Sequence, residues 1–319
     1  MIPLSLVTGF LGGGKTTLLQ RLIERSQGRR FAYVVNELAD VDVDGQLLGL
    51  GEGEIVSIPG GSIFCRCLSG EFLRILQALP ARFDDPEHPL EGVVVEASGI
   101  ADPKVAVKML QETRLDRVYD LRCIVTVIDP GTFLKLIHTL PSVISQVEAC
   151  DVALVNKTDL HEEAALRAVE DAIARINPRA RIIRSIYCRS ELDILAASPR
   201  RPLEGEYALC RDPRFASVAV PLDAPLEIAP LLAELDRIKD DVYRVKGFVP
   251  VPDGMVHVDV AAGRLNHRKV AVPAEREGGG GRATGRLVFV FDPKASERVE
   301  GAIAVLKAGP RGSSIPQPV

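Results

Sequence analysis

The segment at residues 9–17, GFLGGGKTT, constrains the fold of this chain more than any other feature. It fits the pattern G-x-x-x-x-G-K-[ST], and it lies between an apolar run at 4–8 and a helical pattern at 15–26. Glycines let the backbone form a nest of N–H groups that point at phosphate oxygens, and the positive end of the following helix dipole adds to the attraction. We expect Lys15 to reach the β and γ phosphates and the Thr16 hydroxyl to bind Mg²⁺. The predicted phosphate-binding residues are Gly9, Gly12, Gly13, Gly14, Lys15, Thr16 and Thr17.

Strand-like and helical patterns alternate up to about residue 205. The predicted strands are residues 4–8, 31–36, 92–96, 124–129, 152–156 and 181–185, and the predicted helices are 15–26, 70–79, 104–112 and 162–176. Most of these strands are β-branched runs without polar alternation, which is typical of a parallel sheet buried on both faces. The pattern predicts an α/β P-loop NTPase domain with a mostly parallel sheet.

A change of rhythm follows the segment SPRRPLEGE at residues 198–206, which is rich in proline, glycine and charge. One helical pattern at 226–239 is then followed by several consecutive strand-like runs. Domain boundaries favour such linkers. We therefore predict a P-loop nucleotide-binding domain at 1–206 and a smaller α+β C-terminal domain at 207–319.

Composition excludes several classes of partner. The 319 residues carry a net charge of −4 with both signs interspersed, so no basic stripe is available for nucleic acid. No apolar run approaches the roughly 20 residues that cross a bilayer. The six cysteines are scattered except for Cys65 and Cys67. This usage predicts reduced thiols and a cytoplasmic protein without membrane contact.

The segment Asn156-Lys157-Thr158-Asp159 lies at the end of the fifth predicted strand, at the sheet edge where α/β proteins bind ligands. The Asp159 carboxylate can accept hydrogen bonds from guanine N1–H and from its exocyclic amine, a donor pair that adenine lacks. Asn156 can address the other edge of the purine, and the Lys157 stem can lie against its face. A simple polar turn would explain the segment in isolation. Together with the phosphate loop, it favours GTP and GDP as ligands.

Acidic residues follow two other strands. Glu96 ends the strand in VVVEASG and can hold Mg²⁺ through water, and the Gly99 N–H can sense a γ-phosphate. Glu37 and Asp44 follow the second strand in NELADVDVDG, close to the expected phosphates. We expect a catalytic role for Lys15, Asp44, Glu96 and Gly99.

These segments together resemble the CobW-type GTPases, relatives of the nickel-delivering GTPases of urease and hydrogenase maturation. GFLGGGKTTLL resembles the phosphate loop of that family, VVNELADVDVDG its NEFGEVGIDG, VEASGIADP its ETTGLADP and LVNKTDL its LNKTDL. INPRARII and RVKGFV resemble its NP-x-A and R-x-KGF elements. The resemblance covers essentially the whole chain. It implies a GTP-hydrolysing protein that delivers or inserts a metal ion or metallocofactor into a client metalloprotein.

Two departures from that family affect the metal. Where the family has GCICC, this chain has GSIFC, so Cys65 alone of the C-x-C-C thiols is kept, and Cys67 is additional. A histidine-rich tract is also missing, and we expect each of the five dispersed histidines to be a surface residue rather than a ligand. The zinc assignment of the family therefore does not transfer automatically.

The cysteine loop, GGSIFCRCLSG at residues 60–70, leaves three interpretations open. Thiolates one residue apart can share a borderline metal such as Zn²⁺ or Co²⁺, with Glu37 as a third ligand and one position open for transfer. We favour this labile metal site, formed by Glu37, Cys65 and Cys67. The alternatives are contact with a client or cofactor, and inert packing of buried thiols.

Two functional hypotheses follow from these patterns. In the first, GTP hydrolysis moves the loops that carry Asp44 and Cys65 and so releases a metal ion or metallocofactor to a client. In the second, the chain is a GTP-gated adaptor of a metalloenzyme, of which a corrinoid protein is one example, and carries no free metal. The NKTD segment argues against a third hypothesis, a P-loop kinase of small molecules. A homodimer stays open.

Overall fold

The computed structural model describes residues 1–26, 29–36, 55–58, 62–65, 68–83, 89–198, 203–208, 213–270 and 285–308. The chain divides into two compact units, Met1–Asp212 and Pro213–Val319. The boundary predicted after residue 206 lies inside the first unit, close to its end, and it stays a prediction.

The first unit is built on a seven-stranded sheet with the order β3-β2-β4-β1-β5-β6-β7. Every strand pairing in this sheet is parallel. The strands are β1 (Ile2–Thr8), β2 (Phe31–Asn36), β3 (Ile55–Ile58), β4 (Gly92–Glu96), β5 (Tyr119–Ile128), β6 (Val152–Val155) and β7 (Arg181–Arg184). All residues of β2, β4 and β6 are buried, which explains their continuous apolar runs. The predicted α/β class with a parallel sheet is confirmed.

Six helices accompany this sheet in the described part of the unit. They are α1 (Lys15–Arg25), α2 (Ser69–Phe83), α3 (Val105–Glu112), α4 (Pro130–Leu136), α5 (Pro141–Ala149) and α6 (Glu163–Ile176). Sequence patterns predicted four of them and missed α4 and α5, which are short and begin with proline. Proline suits the first helical position because its missing N–H would have no partner there. The Asp129 carboxylate caps α4 by accepting a 2.9 Å hydrogen bond from Gly131 N.

The second unit contains a five-stranded antiparallel sheet with the order β11-β10-β9-β12-β8. Its strands are β8 (Ala216–Leu222), β9 (Val242–Val251), β10 (Gly254–Ala261), β11 (Arg264–Val270) and β12 (Gly285–Phe291). Leu235 of α7 (Ile228–Ile238) and Val299 of α8 (Ser296–Ala308) pack with Val245, Val258 and Phe289 in its core. The predicted smaller α+β domain is confirmed.

Two further expectations concern surface and membrane. No helix among the described residues has both the length and the apolar content to cross a bilayer. The prediction that every histidine lies at the surface is wrong for His257, which is buried on β10. Its ring lies 5.4 Å from that of Phe248 on the neighbouring strand. The carbon face of an imidazole packs well against an aromatic ring, so a strand with apolar residues on both faces can accept it.

Candidate nucleotide-binding site

The phosphate loop joins the carboxyl end of β1 to α1, as predicted. Gly9, Gly12 and Gly14 have positive φ angles of 130°, 79° and 117°, a region that residues with side chains rarely adopt. A Cβ atom at Gly9 would lie 2.2 Å from Val127 O on the neighbouring strand β5. The loop therefore needs glycine both for its backbone angles and for its close approach to β5.

Three of the predicted phosphate and magnesium residues come together above β1 and β4. The Lys15 side chain is only 5 % exposed, and its Nζ donates to Phe10 O of the same loop at 3.4 Å. The Thr16 hydroxyl donates to Glu96 Oε1 at 3.4 Å, although 80 residues separate the two in sequence. Glu96 is buried. A buried carboxylate beside a hydroxyl supplies the oxygen ligands that Mg²⁺ prefers, so these residues fit that ion.

The β4 loop, residues 97–101, packs against the phosphate loop. A Cβ atom at Gly99 would lie 2.6 Å from the Leu11 side chain. Gln146 on α5 holds the β4 loop from the other side, since its Nε2 donates to Gly99 O at 3.1 Å and to Ala101 O at 3.2 Å. The structure thus places Gly99 beside the phosphate loop, and it adds Gln146, which sequence analysis had not singled out.

Lys157 and Asp159 take different positions in the segment predicted to bind the base. Lys157 has a φ of 59°, and its Nζ donates to Gly12 O and to Asp129 Oδ2, each at 2.7 Å. Asp159 lies exposed in a 3-10 turn, Thr158–Leu160, so its carboxylate is open to a ligand. Sequence analysis missed Asp129, although its position at the end of β5, next to β1, could have revealed it.

The Asn156 side chain joins the phosphate loop to the loop after β7. Its Nδ2 donates to Gly13 O at 3.0 Å, and its Oδ1 accepts from Ser185 Oγ at 3.1 Å and from Cys188 N at 2.9 Å. The Cys188 thiol in turn donates to Gly14 O at 3.3 Å. Burial raises the pKa of this thiol to about 12, so it stays protonated as a donor at neutral pH. Asn156 therefore ties the phosphate loop to the loop that follows β7.

Of the three residues predicted to bind the cargo metal, Cys65 alone lies within the part of the chain that the structure describes. Its side chain is 3 % exposed, and its Sγ accepts a hydrogen bond from Leu68 N at 3.3 Å. Its neighbour Phe64 accepts at the backbone from Ala208 N at 3.0 Å. Glu37, Asp44 and Cys67 lie outside the described residues, so the ligand set and the catalytic role of Asp44 stay predictions. Among the residues that are described, no three His, Cys, Asp or Glu side chains are grouped to hold a metal.

Comparisons with known proteins support both units. Residues 3–184 match the family described as CobW/HypB/UreG, nucleotide-binding domain, and residues 215–303 match the Cobalamin synthesis protein cobW C-terminal domain. The zinc chaperone CobW of Sinorhizobium sp is 29% identical over 79% of this chain and 82% of the relative. The zinc chaperone YjiA of Escherichia coli (strain K12) is 27% identical over 96% of this chain and 99% of the relative. The zinc-regulated GTPase metalloprotein activator 1 of Schizosaccharomyces pombe is 31% identical over 59% of this chain and 46% of its own length.

Proposed function

Because this chain belongs to the CobW/HypB/UreG family, we propose that it is a GTP-dependent metallochaperone that hydrolyses GTP and delivers a metal ion to a client metalloprotein. The observation that carries the proposal is the meeting of Lys15, the Thr16–Glu96 contact and the NKTD segment at one edge of the parallel sheet. Ligands bind at this edge in open α/β sheets. The zinc chaperones among the relatives make Zn²⁺ the first candidate for the cargo. Co²⁺ is the second candidate, because thiolates bind this borderline ion as well.

In the proposed reaction, GTP binds along this edge, with its phosphates at the phosphate loop and its base at the NKTD segment. The N–H groups of the phosphate loop and the Lys15 ammonium neutralise the phosphate oxygens, and the Asp159 carboxylate accepts from the two guanine donors. Thr16 and Glu96 would hold Mg²⁺, which supplies positive charge against the phosphates when bound. Gly99 N–H and Asp44 are proposed to act near the γ-phosphate, where water attacks.

The cargo would bind at Cys65 and Cys67 with Glu37 as a further ligand. Two thiolates and a carboxylate suit Zn²⁺ and leave one coordination position open. Since the Cys65 sulfur is buried, a metal held there would be shielded from water. Release to a client then requires the cysteine loop to move, which is the step that GTP hydrolysis would drive. We also propose a cytoplasmic place of action, and a homodimer stays open.

One observation favours the alternative, a GTP-gated adaptor that carries no free metal. The Cys65 sulfur already has a hydrogen-bond donor, Leu68 N, and Cys65 is buried together with Ile63 and Phe64. A thiol in such a place can be a small apolar residue rather than a ligand.

Metal titration of the reduced protein separates the two functions. Zn²⁺ and Co²⁺ would be added to the full chain with GDP or a non-hydrolysable GTP analogue, and the same would be done with Cys65→Ala and Cys67→Ala. Cys123→Ala is the matched control, because Cys123 is equally buried but lies within β5. Stoichiometric binding that Cys65→Ala and Cys67→Ala lose and Cys123→Ala keeps supports metal delivery. Binding weaker than micromolar in the parent would favour the adaptor.

Hydrolysis is tested separately. Lys15→Ala removes the charge that faces the β and γ phosphates, a class of contact worth orders of magnitude in rate. Turnover of GTP by the parent and its near loss in this variant support the GTPase. Similar turnover in both proteins would overturn the assignment of the phosphate loop.

A further inference from the structure

Asn36 occupies a position that the proposed reaction does not use. It is the last residue of β2 and is 3 % exposed. Its Oδ1 accepts from two backbone donors, Ile63 N at 3.0 Å and Ser98 N at 3.1 Å. Its Nδ2 donates to Ile58 O at 3.0 Å, at the end of β3. One amide thus links the cysteine loop, the β4 loop and the ends of two strands.

The two donors to Oδ1 belong to the cysteine loop and the β4 loop. Metal delivery driven by GTP requires that these two loops be coupled. Ser98 directly precedes Gly99 in the β4 loop, next to the phosphate loop. Ile63 lies two residues before Cys65, and the turn between them is tight, since Cys65 N donates to Ser62 O at 2.9 Å. A shift of Ser98 therefore changes the hydrogen bond that also holds the cysteine loop.

The β4 loop has hydrogen-bonding capacity left to gain. The Ser98 hydroxyl is buried, and it has no hydrogen-bond partner within the described ranges. A buried polar atom without a partner costs free energy, so an arrangement of this loop that satisfies it would be favoured. A bound triphosphate or its ordered water is a source of such a partner at this edge.

We propose that Asn36 is the positioning residue through which the nucleotide state of the β4 loop reaches the cysteine loop. The inference rests on the proposed function, because it names the link by which GTP would control the cargo. Linkage is reciprocal: if the nucleotide changes the affinity of the cysteine loop for its cargo by some factor, bound cargo must change the nucleotide affinity by the same factor.

Hydrogen exchange of the full chain, with magnesium present but no cargo metal, tests this link. Backbone exchange in the peptide that contains residues 62–65 would be measured with GDP and with the non-hydrolysable GTP analogue. In the parent protein we expect a difference of about fivefold or more between the two nucleotides, the lower end of typical coupling. In Asn36→Ala, both accepted hydrogen bonds are lost, and the ratio of the exchange rates with the two nucleotides should fall below about two.

Asn177→Ala controls for loss of stability. Asn177 is also a buried amide of the first unit, and its Nδ2 donates to Val147 O and Cys150 O, each at 2.8 Å. The Asn177→Ala protein should exchange faster overall and still keep the nucleotide-dependent difference. The inference is overturned if the parent shows no difference, if Asn36→Ala keeps it, or if Asn177→Ala loses it equally.

The outcome is independent of the metal titration. A nucleotide-dependent difference that requires Asn36, in a protein that binds neither Zn²⁺ nor Co²⁺, would support the link and reject the metal cargo. Metal binding by a protein whose nucleotide-dependent difference does not require Asn36 would support the metal cargo and reject the link.

Discussion

Asn156→Ala should destabilise the first unit by about 2–6 kcal/mol. The substitution leaves two buried backbone groups without their partners, Cys188 N–H and Gly13 C=O, which now bond Asn156 at 2.9 and 3.0 Å. Each such group costs about 1–3 kcal/mol when it is left buried without a partner, which for two groups gives the range of about 2–6 kcal/mol. The Ser185 hydroxyl adds little, since it can rotate towards another acceptor.

Unfolding by urea, followed by far-UV circular dichroism because the chain has no tryptophan, measures this loss. Asp159→Asn is the matched control within the same segment, because Asp159 is exposed and its substitution should change stability by less than about 0.5 kcal/mol. GTP affinity should fall in Asn156→Ala, since the phosphate loop loses its link to the base end. A loss of stability below about 0.5 kcal/mol would refute the view that Asn156 holds these loops together.

Three other predictions concern the base, the phosphate loop and the second unit. Asp159→Asn should relax guanine selectivity, because its amide NH₂ opposes the guanine donors; unchanged discrimination between GTP and XTP in competition would contradict this. Gly9→Ala should abolish nucleotide binding in a titration, because its Cβ meets a backbone oxygen of β5 at 2.2 Å, whereas Gly70→Ala, where a Cβ meets nothing within 4 Å, should be harmless. Burial, with Lys246 nearby, lowers the pKa of His257 to about 4 from 6.5. Between these pH values His257 is protonated in the unfolded chain but not in the folded chain, so the free energy of unfolding should fall as the pH falls through this window. His257→Leu should remove this pH dependence from a series of urea-unfolding measurements.

Sequence patterns located the elements that are long or uniformly apolar and missed the short ones. The predicted bounds of β2 and β4 are those of the structure, because every residue in these strands is buried and the apolar run has sharp ends. β3 has four residues and only Ile58 is fully buried, so no such run exists there. Short helices like α4 and α5 give too few turns to show a period.

The same contrast applies to the site. The residues proposed to bind phosphate, Gly9 to Thr16, belong to a local pattern whose chemistry can be derived from the sequence. Asn36 and Gln146 bond partners that lie 62 and 47 residues away, Ser98 N and Gly99 O. Such pairs exist only after the strands have been ordered in the sheet, and no spacing in the sequence indicates them.

Uncharged amides make the links between loops at this edge of the sheet. An amide carries a donor and an acceptor on one small neutral group, so Asn36 and Asn156 can each satisfy two loops while buried. A carboxylate in their place would lack the donor and would cost several kcal/mol to bury without a cation. Lys157 and Asp129 form a charged link at this edge, and they are a neutralised pair. In the proposed function, this arrangement leaves the charges of Lys15, Glu96 and Asp159 for the nucleotide and its magnesium ion, while the amides transmit changes between the loops.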